Sequence, residues 1–104
     1  MDSHVFHLTS ANDFQQILEQ PNLIVLKVYA GWCGPCKSYA PMFEECAASH
    51  QDYGVYFIES NVDQNFVKVE SLPTTLFIKD KQIIDKIVGI DMDLLREKIK
   101  LYYG

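Results

Sequence analysis

The chain has 104 residues, and from this length we expect a single domain spanning 1–104. Hydrophobic residues make up 48% of the chain, which is enough for a core without disulfide cross-links. Nine Lys and Arg against fourteen Asp and Glu give a net charge of −5, which argues against nucleic acid or an anionic membrane as a partner.

Three cysteines are too few, and odd in number, for the disulfide framework of a small secreted domain. The first residues include the acid Asp2 and no apolar stretch as long as that of a signal peptide. The longest apolar run, 23–26, is far too short to cross a bilayer. We therefore expect a cytoplasmic protein without a membrane span.

The first part of the chain predicts alternating strands and helices. Residues 5–8 predict a short strand, and Ser10 with Asp13 three positions later predicts a capped helix that ends at Pro21. Residues 23–29 are β-branched and apolar on both faces, which is typical of a central strand covered by helices on both sides.

The middle of the chain continues this alternation. After a turn at 31–35, apolar side chains at helical spacing predict a helix over 36–49, with a kink at Pro41. Residues 55–62 then predict another strand, and 64–69 a short helix.

The end of the chain predicts a hairpin followed by a helix. Residues 74–78 and 82–88 predict two strands joined at Asp80 and Lys81, and Asp91 predicts the N-cap of the last helix. The order of elements is therefore βαβαβαββα, with an α/β beginning and an antiparallel end.

The sequence Cys33-Gly34-Pro35-Cys36 lies where a buried strand passes into a helix. The first sulfur would then lie at the positive end of the helix dipole, which favours its thiolate. Gly34 permits a sharp turn and Pro35 suits a first helical turn, so the second sulfur comes within bonding distance of the first. A C-x-x-C pair in such a setting predicts a dithiol redox site.

Zinc binding is the alternative interpretation, because C-x-x-C also supplies two zinc ligands. The other candidate ligands are His4, His7, Cys46 and His50. The chain has no second C-x-x-C, and the two N-terminal histidines are separated from the cysteines by a helix and a strand. We therefore expect no metal and no other cofactor, and we interpret Cys46 as a packed hydrophobic side chain.

From end to end, the chain resembles the thioredoxin family. The shared motifs, in the family's order, are W-C-G-P-C-K at 32–37, A-P at 40–41, N-x-D-Q-N at 61–65, L-P-T at 72–74 and V-G at 88–89. The resemblance implies the thioredoxin fold, an α/β fold with a five-stranded mixed sheet flanked by four α-helices, and a cis Pro73 that faces the dithiol. It also implies protein-disulfide reductase activity on protein disulfide substrates, with recharging by a thioredoxin reductase.

The resemblance assigns roles to individual residues. Cys33 is the attacking thiol, Cys36 resolves the mixed disulfide, and oxidation joins the two in a disulfide. Six residues would bind substrate: Trp32, Gly34, Pro35, Leu72, Pro73 and Gly89. For Trp32 and Pro73 the alternative roles are packing and turn formation. We expect a monomer that carries electrons and contributes to redox homeostasis.

Two charged residues depart from the family's pattern. Lys27 stands within the strand before the motif, where the family has a buried acid, and Glu59 stands where the family commonly has a lysine. An unpaired lysine in an apolar strand would cost several kcal/mol, so we expect Lys27 and Glu59 to form a buried ion pair beneath Cys36 that tunes the dithiol. The alternative is that Lys27 reaches an edge and Glu59 is solvated. Lys27 is also a candidate proton shuttle for Cys36.

Three functions compete. The leading one is a general protein-disulfide reductase, a thiol-disulfide oxidoreductase that acts through Cys33 and Cys36. The alternative is a thioredoxin-fold interaction module in which Lys27 has weakened turnover, and the intact dithiol argues against it. A disulfide oxidase or isomerase is disfavoured by the Gly34-Pro35 dipeptide.

Overall fold

Five strands form one mixed sheet at the centre of the structure, a computed structural model in which residues 4–104 are described. The strands are β1 (Phe6–His7), β2 (Ile24–Tyr29), β3 (Tyr56–Asn61), β4 (Thr74–Lys79) and β5 (Gln82–Val88). Their spatial order is β1-β3-β2-β4-β5. β3 runs parallel to β1 and β2, whereas β4 is antiparallel to β2 and β5. The mixed sheet expected from the resemblance is confirmed. Asp2, named in the sequence analysis, lies outside the described residues.

Three α-helices flank the sheet within residues 4–104: α1 (Ala11–Leu18), α2 (Gly34–Ser49) and α3 (Met92–Tyr102). The expectation of four helices is wrong, because 65–69 is not helical and Gln64 only ends a 3-10 turn. A single 3-10 turn, Val62–Gln64, ends at Asn65, whose φ of 63° is left-handed and stops a right-handed helix. None of the helices in this part of the chain is long and apolar enough to cross a membrane.

Side-chain caps begin two of the helices, as predicted. The Ser10 hydroxyl accepts a hydrogen bond from the Asp13 backbone N–H (3.0 Å) at the start of α1. The Asp91 carboxylate accepts one from the Leu94 N–H (3.0 Å) at the start of α3. Each cap pairs a backbone N–H that has no partner inside its helix. The predicted starts of both helices are therefore confirmed.

The buried side chains of β2 alternate between two cores, one on each face of the sheet. Val25 points into the core below α2 and α3, where Phe43 and Leu95 are fully buried. Ile24 and Leu26 point into the core on the opposite face, against which α1 and the segment after β3 pack. The expectation of a central strand covered on both sides is confirmed, and Lys27 is the one charged side chain buried within it.

The predicted hairpin between β4 and β5 is present. It turns at Asp80 and Lys81, whose φ angles of 52° and 66° match the turn geometry that two-residue hairpins prefer. The Lys81 ammonium also lies 3.1 Å from the Glu19 carboxylate, so the turn contacts the end of α1.

The pairing of β4 with β5 shifts by one residue within the hairpin. Phe77 pairs with Asp85, but the next residue, Ile78, pairs with Ile83, which leaves Ile84 as an extra residue on β5. Such a bulge reverses the side-chain alternation along the strand. It therefore turns Ile83 toward the same face of the sheet as Ile78.

Candidate active site at the start of α2

The dithiol lies at the N-terminus of α2. Cys33 is the N-cap residue, and its sulfur accepts a hydrogen bond from the backbone N–H of Cys36 (3.2 Å). The Cα atoms of Cys33 and Cys36 are 5.3 Å apart, and their sulfurs are bonded as a disulfide. Pro35 stands in the first turn, where its missing N–H leaves no hydrogen bond unmade. This end of the helix therefore offers unpaired N–H groups and a positive dipole to the first sulfur.

A groove of about 530 Å³ opens beside the dithiol, and we call it the dithiol groove. Its walls are formed by Trp32, Gly34, Pro35, Val62, Val69, Glu70, Ser71 and Leu72. Cys33 lines this groove and Cys36 does not. The Trp32 side chain is 72% exposed, so it presents an apolar surface to solvent beside Cys33. Four of the residues expected from the sequence to bind substrate therefore meet at one surface: Trp32, Gly34, Pro35 and Leu72.

Pro73 and Gly89 lie next to each other at the edge of this region. The Leu72–Pro73 peptide bond is cis, and Leu72 packs against the dithiol. The Gly89 N–H donates a hydrogen bond to the Pro73 carbonyl (2.8 Å), and Gly89 has a φ of 82° that favours glycine. Pro73 is itself buried, so its carbonyl and its neighbours shape the site.

Part of the groove wall was not expected from the sequence. Val62, Val69, Glu70 and Ser71 line it, although only Leu72 was expected from that segment. Val62 lies inside the N-x-D-Q-N motif, which is a signal that could have identified it. The other three lie in the irregular segment 66–71, which overlaps the end of the helix predicted over 64–69.

The expected ion pair between Lys27 and Glu59 is present. The two residues are register partners on β2 and β3, and Lys27 Nζ lies 3.3 Å from Glu59 Oε1. The Lys27 side chain is only 3% exposed, whereas that of Glu59 is 27% exposed. The pair is thus buried at the ammonium end and open to solvent at the carboxylate end, and Lys27 does not reach an edge.

Aromatic rings complete the surroundings of Lys27. Its Nζ lies 5.1 Å from the ring centre of Phe43, 5.3 Å from that of Tyr29 and 5.9 Å from that of Tyr39. Ring faces attract a cation, most strongly where water is excluded. Tyr39 and Phe43 belong to α2, so the Lys27 charge lies under the same helix that carries Cys36.

Glu59 also joins Lys27 to two residues that the sequence did not indicate. Its second carboxylate oxygen, Oε2, lies 2.9 Å from His7 Nδ1, which in turn lies 3.4 Å from the Tyr29 hydroxyl. Burial and, to a lesser extent, the Glu59 charge raise the pKa of Tyr29. His7 reaches Glu59 because β1 pairs with β3, a register that no local pattern specifies.

In the described part of the chain, the candidate zinc ligands do not gather around the dithiol, and only Cys46 and His50 contact each other. His4 contacts Glu44, His7 contacts Glu59, and Cys46 is buried beside His50, with its sulfur 3.7 Å from His50 Nδ1. Burial raises the pKa of the Cys46 thiol to about 11. Among residues 4–104, no group of three or more His, Cys, Asp and Glu side chains is arranged to hold a metal ion.

Comparison with known proteins places this geometry in a family. The family model described as thioredoxin matches residues 4–101. The chain belongs to the thioredoxin family. It is 35% identical over 100 residues to the thioredoxin of Mycoplasmoides gallisepticum, with 90% of this chain and 98% of that protein covered. Thioredoxin-1 of Caenorhabditis elegans is 36% identical over 95 residues, covering 85% and 81% of the two chains.

Solved thioredoxin structures match the fold over nearly its whole length. The Malassezia sympodialis thioredoxin superposes with a TM-score of 0.89 at 30% identity, covering 99% of this chain and 94% of that one. Thioredoxin NaTrxh from Nicotiana alata superposes with a TM-score of 0.87 at 31% identity, covering 100% of this chain and 96% of that one. Members of the thioredoxin family are disulfide oxidoreductases, and the Cys33–Cys36 pair gives this chain the same dithiol-disulfide redox function.

Proposed function

We propose that the protein reduces protein disulfides, with Cys33 as the attacking thiol and Cys36 as the resolving thiol. The observation that carries this proposal is that Cys33 lines the dithiol groove and Cys36 does not, although both residues are largely buried (6% and 3% exposed). A substrate disulfide bound in the groove therefore meets Cys33 before Cys36. The helix N-terminus favours the thiolate of Cys33, which is the nucleophilic form.

The reaction begins with the reduced pair. The Cys33 thiolate attacks one sulfur of the substrate disulfide, a new S–S bond forms, and the other substrate sulfur leaves as a thiolate that takes up a proton. The Cys36 thiol then loses its proton and attacks the Cys33 sulfur. This second exchange releases the remaining substrate thiol and leaves the Cys33–Cys36 disulfide. Two electrons have passed from the pair to the substrate.

The dithiol groove would hold the substrate during both exchanges. The exposed ring of Trp32 and the side chain of Leu72 offer apolar contacts on the two sides of Cys33. Gly34 and Pro35 present little side-chain bulk to an approaching backbone, and the segment at Pro73 and Gly89 gives an extended peptide a rigid edge to pair with.

Lys27 and Glu59 would tune the dithiol by their charge. In the proposal, the buried ammonium under α2 stabilises the thiolate form and so the reduced pair, and Glu59 cancels part of this effect. Lys27 also remains the candidate proton shuttle for Cys36. The unequal burial of the two partners supports a net stabilisation of the thiolate, because solvent screens the negative charge of Glu59 more than the positive charge of Lys27.

We further propose the setting in which the protein works. It is a single domain over 1–104 that acts as a monomeric electron carrier in the cytoplasm, and a thioredoxin reductase returns the oxidised pair to the dithiol. The family membership supports this cycle, since the oxidised protein must be recharged before each turnover.

Reduction of insulin by dithiothreitol tests the proposed function. We expect the protein to accelerate precipitation of the insulin B chain in substoichiometric amounts, because each molecule cycles between the dithiol and the disulfide. The matched control is Cys46→Ala, which removes a buried thiol outside the site and should leave the acceleration intact. Precipitation no faster than with dithiothreitol alone would instead support the interaction module.

A further inference from the structure

A second groove lies beside the dithiol groove, between the segment after β3 and the open face of β5. Residues 68–71 form one wall, and Ile83, Lys86 and Val88 form the other, above a floor that includes Leu76. We call it the β5 groove. It encloses about 340 Å³.

Two features of the chain leave this groove open. The segment at 66–71 packs on the sheet as an irregular segment without a helix, so it covers less of the sheet edge. The bulge at Ile84 turns Ile83 to the same face as Lys86 and Val88. Ile83 is 59% exposed and Val88 58% exposed, a larger share than aliphatic side chains on a sheet face usually present to water.

The two grooves form one continuous surface. Val69, Glu70 and Ser71 line both of them, so a chain that leaves Cys33 along this wall enters the β5 groove directly. Val88 pairs with Thr74, the residue after Pro73, and Ile83 lies about five residues further along β5. At about 3.3 Å per residue, an extended flank of about five residues spans that length.

The charged residues around the β5 groove indicate which kind of peptide it would bind. The chain is acidic overall, with a net charge of −5, yet two lysines flank the groove. Within residues 4–104, neither Lys68 nor Lys86 forms an ion pair, and the groove lining includes one acid, Glu70. The groove is therefore a locally basic, partly apolar patch on an acidic molecule.

We propose that the β5 groove binds the polypeptide that flanks the disulfide of a protein substrate, and that it selects flanks in which apolar and acidic residues alternate. The inference rests on the proposed reductase function and adds a substrate preference to it. Apolar side chains of the flank contact Ile83, Val88 and Val69, and its carboxylates approach Lys68 and Lys86. Each wall carries a lysine beside an apolar residue, so an extended flank that places carboxylates among apolar side chains can contact both kinds of residue.

The test compares three synthetic peptides that share one disulfide ring and differ only in five-residue flanks. The flanks are Glu-Val-Glu-Val-Glu, Lys-Val-Lys-Val-Lys and a Gly-Ser sequence. The readout is the ratio of kcat/KM between peptides within one protein sample, which cancels differences in the folded fraction. Measurements at about 0.15 M salt limit long-range charge effects. We expect the wild-type protein to reduce the acidic peptide best and the basic peptide worst.

Matched variants locate the preference in the groove. Ile83→Thr should lower the ratio of the acidic to the Gly-Ser peptide about fivefold, because it removes part of an apolar contact. Ile84→Thr, which changes the neighbouring residue outside the groove, should leave that ratio unchanged.

Lys86→Glu should reverse the preference between acidic and basic flanks, whereas Lys100→Glu, the same charge change on α3, should keep it. Lys68→Glu, on the other wall, provides the same test if Lys86→Glu fails to fold.

Each outcome decides between the proposals. A wild-type protein that reduces all three peptides equally overturns the β5 groove, as do equal effects of Ile83→Thr and Ile84→Thr or of Lys86→Glu and Lys100→Glu. Concentration-dependent dimerisation that Ile83→Thr abolishes would assign the groove to a second copy of this chain and also overturn the proposal. If the wild-type protein reduces none of the peptides, the proposed function itself fails.

Discussion

The two ends of α2 give their cysteines opposite environments. At the start of the helix, Cys33 opens onto the dithiol groove and its sulfur accepts the N–H of Cys36. Further along the same helix, Cys46 is fully buried beside His50, and burial raises the pKa of its thiol to about 11. If the proposed roles are right, access and the free N–H groups of a helix start, and not the thiol itself, determine which cysteine reacts.

The strongest test of this contrast removes one thiol at a time. Cys33→Ser should abolish insulin reduction, a loss of at least about a thousandfold, because a serine hydroxyl cannot attack a disulfide at neutral pH. Cys46→Ala should keep nearly full activity and lose about 1 kcal/mol of unfolding free energy through the small cavity it leaves. Initial rates and urea denaturation of the two variants check both expectations. Loss of activity in Cys46→Ala alone would contradict the contrast.

A second test uses Cys36, the inner partner at the reactive end. Cys36→Ser should accumulate a mixed disulfide between Cys33 and its substrate, because the resolving step is removed. Nonreducing gels and mass spectrometry after incubation with an oxidised substrate protein detect this species. The Cys33→Ser/Cys36→Ser double variant is the matched control. A failure of Cys36→Ser to trap substrate would remove the resolving role from Cys36.

Replacing either member of the buried ion pair beneath α2 should lower stability, but by unequal amounts. Glu59→Gln leaves the nearly inaccessible Lys27 ammonium without its counterion and should cost about 2 kcal/mol of unfolding free energy. Lys27→Met leaves a carboxylate that still contacts His7 and water, and it should cost about 1 kcal/mol or less. Urea denaturation of both variants and of the double variant measures the coupling. Equal costs would show that the unequal burial has no energetic effect.

The same pair should shift the redox potential slightly. If Lys27 stabilises the thiolate, Lys27→Met lowers the reduction potential of the Cys33/Cys36 couple by up to about 30 mV, which corresponds to one pKa unit for two electrons. Equilibration with glutathione measures the potential. The Lys27→Met/Glu59→Gln double variant is the control for structural effects. An unchanged or higher potential in Lys27→Met would mean that the ammonium does not influence the dithiol.

A charged cluster between β5 and α3 should affect stability alone. Hydrogen bonds from Lys98 (2.6 Å) and Tyr102 (2.7 Å) lower the pKa of Asp85 to about 2, below its ordinary value of 3.8. The folded state therefore gains stability above about pH 4 and loses it as the pH falls toward 2. Across that interval the wild-type protein should lose about 1 kcal/mol more than Asp85→Asn, as followed by urea denaturation, with no difference in redox potential. Parallel curves for the two proteins would contradict this expectation.

Local sequence signals predicted the reactive end of the molecule well. The C-x-x-C spacing, Pro35 and the strand before them indicated a dithiol at a helix start, and Ser10 and Asp91 indicated two helix caps. These features depend on residues close together in the chain, where spacing and backbone preference act directly. The ion pair of Lys27 with Glu59 followed from residue types because a buried ammonium requires a counterion.

Features that depend on strand pairing or on one unusual backbone angle were missed. His7 joins Glu59 only through the register of β1 with β3, and the β5 groove depends on the bulge at Ile84 as well as on the irregular segment 66–71. Apolar residues at 64–69 suggested a helix, yet the left-handed angle at Asn65 and the packing of Phe66 on the sheet produce an irregular segment. Tertiary contacts decided these cases, and no local pattern records them.

Alkylation of the fully reduced protein tests the central claim most directly. Brief treatment with iodoacetamide near neutral pH, followed by peptide mapping, reports which of the three thiols reacts first. We expect Cys33 to be labelled first, Cys36 to follow slowly because it lies outside the groove, and Cys46 to react only after unfolding. Labelling of Cys36 or Cys46 before Cys33 in the folded protein would contradict it.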